Sequence, residues 1–132
     1  MANINWRLSH SVTSSTGSQP ISGTYAQSGT SEITINQNFP SNTTKQLVNS
    51  VSFGAPGNSS GNLQAIILLA SQNMIVYTNN ANAPQDTIAL TAGIPMEWDN
   101  SLIFACPFNN AVTSFYVTCN TAGLLQGSIL KY

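Results

Sequence analysis

DTIALTAGIPMEWDNSLIFACPFNNAVTSFYVTCN, the stretch from Asp86 to Asn120, carries the pattern that decides the fold. Apolar residues alternate with polar ones in three short runs: Ile88 and Leu90; Leu102, Phe104 and Cys106; Phe115, Val117 and Cys119. Between the runs stand turn formers, namely Ala92-Gly93, Asp99-Asn100-Ser101, Pro107 and Asn109-Asn110. Period-two alternation broken by Gly, Pro and Asn marks half-buried antiparallel strands. The stretch is read as the core of a β-sandwich to which the rest of the chain adds strands. By itself it names no chemistry.

Working outward, residues 3–9 read as a first strand, with Ile4, Trp6 and Leu8 alternating with Asn5 and Arg7. Ser9 to Ser31 is rich in Ser, Thr and Gly, and a structureless loop of that length is unusual in a compact domain. One or two short strands are expected there. Ile33 and Ile35 mark the next strand, closed by Asn38-Phe39-Pro40, and Leu47, Val51 and Phe53 follow as one inward-facing set. Leu63–Ala70 and Asn73–Thr78 read as a hairpin about Ser71-Gln72, its first arm a central strand covered on both sides. Leu102–Cys106 and Val112–Cys119 read as a second hairpin about Pro107–Asn110, and Leu124–Leu130 as the last strand. Residues 1–132 thus make a single all-β domain, a jelly-roll-like β-sandwich of about 8–10 short antiparallel strands.

Composition narrows the function. Charged residues are 5% of the chain, far below the roughly 25% of an ordinary soluble protein. Ser, Thr, Asn and Gln take their place. The hydrophobic fraction of 42% is enough for a core, so a folded domain with a neutral hydroxyl- and amide-rich surface is expected, not disorder. Three basic residues (Arg7, Lys45 and Lys131) cannot neutralise a row of phosphates, so no nucleic acid is expected as a partner. They provide no electrostatic attraction to a membrane either, and the longest apolar run, Ala65–Ala70, is far too short to span one. A net charge of -1 gives little colloidal repulsion and favours association. The start MANINWRLSH lacks the basic and apolar regions of a secretory signal. The chain is expected to be made in the cytoplasm and to work outside the cell, as a component of a particle released by lysis would; a processed precursor fits the same composition.

Chemistry-bearing residues are few. Cys106 and Cys119 fall at inward positions, which favours unpaired apolar thiols over a disulfide and over a Cys–His pair with the lone His10. Glu97 and Asp99 share one face of a Met96–Asp99 strand, with Trp98 opposite. They read as two solvated acids beside a turn, in preference to paired catalytic carboxylates or a calcium corner. GAPGNSSG lacks the strand–loop–helix context and the Lys-Ser/Thr of a phosphate cradle. Asn42-Thr43-Thr44 and Asn58-Ser59-Ser60 match the glycosylation pattern, but without a leader they are read as coincidental. No catalytic residue, cofactor or metal is expected.

Aromatic rings remain as contact candidates. Tyr77 and Tyr116 oppose the apolar parity of their strands, and Trp6, Trp98 and Tyr132 complete the set of interface candidates. The opening MANINW, the LTAGIPMEWDNS stretch and the closing VTSFYVTCNTAGLLQGSILKY resemble the small all-β accessory virion proteins of tailed bacteriophages, the decoration or cement class. The resemblance covers the C-terminal half and carries over no functional residue. It implies a β-sandwich or jelly roll, often a homotrimer, that binds the major capsid protein or its own copies and stabilises the capsid. The expected function is thus a non-enzymatic virion structural protein. A carbohydrate-binding, lectin-like module is the alternative, a phage fibre or tail component the third reading, and an enzyme the last. Within the opening stretch, only the turn Glu97–Ser101 is expected to face a partner.

Overall fold

The computed structural model describes residues 3–12, 21–100 and 105–132. The side chains of His10 and Tyr25 lie outside the described residues, as do Leu102 and Phe104. Among the described residues, eleven strands run in order: β1 (Ile4–Val12), β2 (Ile21–Gly29), β3 (Ser31–Phe39), β4 (Thr43–Val48), β5 (Gly54–Pro56), β6 (Asn62–Ala70), β7 (Met74–Thr78), β8 (Thr87–Leu90), β9 (Met96–Asp99), β10 (Phe115–Cys119) and β11 (Gly123–Lys131). Among the described residues there is no helix. The chain is an all-β protein whose antiparallel sheets pack as a β-sandwich.

One sheet has the order β4-β10-β7-β8. The other has the order β3-β11-β6, and β6 gives its remaining edge to β9 and, in a short parallel pairing, to β5. Alternation decides which side of each strand is buried. Phe115, Val117 and Cys119 point inward from β10, as do Met74, Val76 and Thr78 from β7, while Tyr116, Thr118, Ile75 and Tyr77 point outward. Ile66, Leu68, Ile129 and Leu125 come from the opposite sheet, all at 0% exposure. Phe53, Phe108 and Phe115 close the core as a ring cluster with centroids 5.4–5.9 Å apart, two of the three contacts edge-on. Gly127 faces this core: a Cβ there would lie 2.6 Å from Leu68 Cδ2 and 2.9 Å from the Ile67 carbonyl.

Several local expectations are overturned. β6 and β7 form no hairpin; Ser71-Gln72 carries the chain across to the other sheet, and Ser71 is tied to β11 on the way, its N–H donating to Leu124 O at 2.9 Å. The second proposed hairpin fails as well, because both edges of β10 are taken by β4 and β7 while Val112 bridges Phe53. Leu47 is 49% exposed, and its neighbour Val48 is the residue that enters the core with Val51 and Phe53. The strand ends at a turn where Ser50 takes a φ of 58°, which resets the alternation. Among the described residues the strand count exceeds the 8–10 expected; the strand expected in the Ser-rich region is the nine-residue β2, whereas the short β5 lies in the GAPGNSSG stretch. β6 is interior, as expected, but its outer face is covered over only part of its length.

That cover is the β1–β2 hairpin, paired from Ile4↔Gly29 to Val12↔Ile21. Its base lies on one end of the five-stranded sheet. Gly29 sits so close that a Cβ would be 2.2 Å from Lys131 O, and Thr30 N donates to the same carbonyl at 2.9 Å. The Phe53–Phe108–Phe115 cluster supplies the first test of this packing. Phe115→Ala should cost about 3–5 kcal/mol, read as a lowered denaturant midpoint with an unchanged slope.

Candidate functional site

Two surfaces gather the residues suited to contact, one on each outer face of the sandwich. On the four-stranded sheet, direct register sets Leu47 beside Tyr116 and Tyr116 beside Tyr77, and Thr87 follows Tyr77. The next row is Thr118, Ile75 and Ala89. Cross-strand neighbours on one face stand about 5 Å apart, so the two tyrosines and Leu47 form a continuous apolar row. Ile75, 36% exposed, widens it. A bulge in β4 completes the surface. Thr44 and Lys45 together oppose Thr118, Lys45 adopts a φ of 48°, and its N–H donates to Thr118 Oγ1 at 3.0 Å in place of a carbonyl. The Lys45 side chain thereby lies over Tyr77, its Nζ 5.8 Å from the ring centroid.

On the five-stranded sheet the outer face has three rows. Leu130, Ala65 and Asp99 form the first, all at 0% exposure under the base of the β1–β2 hairpin. Gln27 reaches from that hairpin to donate from Nε2 to Asp99 Oδ1 at 3.1 Å. Thr34, Ser128, Ile67 and Glu97 form the second row, and Asn36, Gln126 and Leu69 the third. Between the second row and the hairpin lies a cleft of about 490 Å³ walled by Trp6 and Leu8. It runs into an open groove of about 420 Å³ over the second and third rows.

The five interface candidates therefore separate. Tyr77 and Tyr116 are brought together on the exposed four-stranded face, as their parity predicts. Trp6 is half-buried at the cleft. Tyr132 is 46% exposed at the chain's end, away from both, with its N–H bonded to Asn62 O. Trp98 is a correction: it is 6% exposed and belongs to the core. Asp99 is another, since it is a buried carboxylate and not a solvated one; Ser101, in the turn that follows, lies outside the described residues. Leu47 was missed because its alternation was read one residue out of step.

Neither thiol is paired with the other. Cys119 is buried, 3.7 Å from the Pro40 carbonyl. Cys106 is half-buried, and burial pushes its thiol above the ordinary value. The Phe108 N–H, bonded to Sγ at 3.4 Å, opposes that shift, and the nearby Asp86 charge adds to it. A thiol held protonated is a poor nucleophile. Among the described residues, no three of His, Cys, Asp and Glu group together as a metal site would need. No family model, curated protein or solved structure matches the chain.

Two outcomes follow from these environments. Gln27→Ala should cost about 1–3 kcal/mol by removing a donor from a buried carboxylate, with faster amide exchange in β1 and β2 than in β10. Iodoacetamide at pH 8 should label Cys106 of the folded protein far more slowly than in denaturant, with the folded rate climbing only above the ordinary thiol range.

Proposed function

We propose that this protein is a non-enzymatic structural component of a virus particle, a decoration or cement protein that adheres through the outer face of its four-stranded sheet. The observation that carries the reading is the exposed row Leu47–Tyr116–Tyr77, flanked by Ile75 and free of acidic residues. Tyrosine beside aliphatic surface is what the energetic centre of an interface requires. The same face carries a single cation, Lys45, already placed over a ring. Docking there avoids leaving a charge desolvated and unpaired.

The strand order supports a jelly roll. With β3-β11-β6-β9 in one sheet and β4-β10-β7-β8 in the other, each pair antiparallel, the chain follows the winding of eight strands as two Greek keys. The β1–β2 hairpin and the short β5 are additions to that frame. Architectures of this kind are common in capsid proteins. The proposed partners are the major capsid protein of a tailed bacteriophage and further copies of this chain, as a homotrimer. A contact of roughly 800 Å² per partner is sufficient for specific binding, and repetition over a lattice strengthens it through avidity.

Mass spectrometry of purified particles from the source virus tests the assignment, and absence of the chain from every preparation overturns it. Tyr116→Ala, at a half-exposed position, should weaken attachment to particles by about 2 kcal/mol, or roughly thirtyfold, without lowering the thermal midpoint appreciably. Unaltered attachment by this variant would move the adhesive surface elsewhere.

A further inference from the structure

The cleft beneath the β1–β2 hairpin has a different chemistry from the tyrosine face. Paired residues of a two-stranded ribbon share a face, and Trp6 pairs directly with Gln27, whose side chain reaches down to Asp99. Trp6 is thus turned toward the five-stranded sheet, where its indole walls the cleft. Opposite it stand Ser128, Ile67 and Glu97, three residues in direct register, with Glu32 at the side. The volume of about 490 Å³ lies within the range of small-ligand sites.

We infer that this cleft is a binding site for a neutral oligosaccharide. An indole offers a flat apolar surface to the C–H face of a pyranose. Carboxylates and hydroxyls at its edges accept and donate the short hydrogen bonds that sugar hydroxyls need. Glu32, exposed at the side, supplies a carboxylate acceptor, and Ser128 supplies a hydroxyl. The floor continues past Ile67 and Ser128 into the open groove, where Thr34, Asn36 and Gln126 add hydroxyl and amide groups around Leu69. Successive rows on one strand face are about 7 Å apart, so the trough can take more than one sugar ring. With Arg7 as the single cation in its lining, the cleft offers little to an anionic saccharide. This site is on the opposite side of the sandwich from the proposed capsid contact, so a particle-bound copy keeps it available.

The protein contains two tryptophans. Trp98 is buried in the core and Trp6 lines the cleft, so a change in emission that Trp6→Phe abolishes reports on the cleft. The test is a fluorescence titration of the full chain with maltotriose, mannotriose, lactose and chitotriose, together with binding to a glycan array. The expected result is a saturable change in Trp6 emission with at least one neutral saccharide, and the same saccharide class on the array. Trp6→Ala should lower array binding about tenfold or more, and Trp6→Phe, which keeps a ring, should retain most of it. Glu32→Ala, at an exposed position, should lower it at least severalfold while leaving the thermal midpoint unchanged. Absence of binding across the titration and the array overturns the inference. So does a saccharide whose binding is indifferent to both Glu32→Ala and Trp6→Ala, or a preference confined to anionic glycans.

Discussion

Ser71 and Gln72 carry the chain from one sheet to the other, and the arrangement of faces depends on that crossing. Had β6 and β7 paired, Ile66, Leu68 and Val76 would share a sheet and find no apolar partner across from them. Sent to opposite layers, they face one another and form the core. The crossing is secured on several sides. Ser71 both donates to and accepts from Leu124, and Gly93 N–H donates to Ala70 O at 2.8 Å. At Gly123 any side chain would meet Met74 Cε at 2.9 Å and Gln72 Cβ at 3.0 Å. A glycine there lets β11 begin directly beside the corner.

Much of this frame is legible in the sequence, for a physical reason. A strand that buries one face must alternate, so Phe115–Val117–Cys119 and Met74–Val76–Thr78 declare their inner sides without knowledge of their neighbours. The same logic exposes Tyr77 and Tyr116 as outward residues. What alternation does not contain is the identity of the neighbour. A two-residue connection between apolar runs looks alike whether it closes a hairpin or spans the gap between layers. It also cannot carry a phase through an irregularity. Residues at positive φ, as at Ser50 and within the bulge at Lys45, reset the alternation, and Leu47 was lost to that. A strand in the region of β2 is expected from loop length alone, but its bounds are not legible, because ISGTYAQSG has little apolar content to alternate.

Asp99 shows a third kind of gap. Its local sequence, a strand end followed by Asn-Ser, signals a solvated acid. Its covered position involves Gln27, 72 positions away in the chain. No window around residue 99 contains that information. The same is true of Trp6, whose role is set by the sheet rows beneath it and not by its neighbours along β1. Both halves of the candidate cleft were present in the sequence, but their meeting was not.

The hairpin gives the two outer faces different fates. A bare sheet face studded with Leu47, Tyr116 and Tyr77 can meet another surface over its full width. The opposite face is stepped: Leu130, Ala65 and Asp99 are sealed, Ile67, Ser128 and Leu69 are half-buried, and Gln126 is exposed. A step of that kind offers a flat partner less continuous surface than the tyrosine face does. In a chain with only four acids, one lies beneath the hairpin, where Gln27 donates to it. Removing a donor from a buried carboxyl group is costly, so conformations in which Gln27 reaches Asp99 are favoured. The cleft wall is thus held in part by a polar contact outside the apolar core.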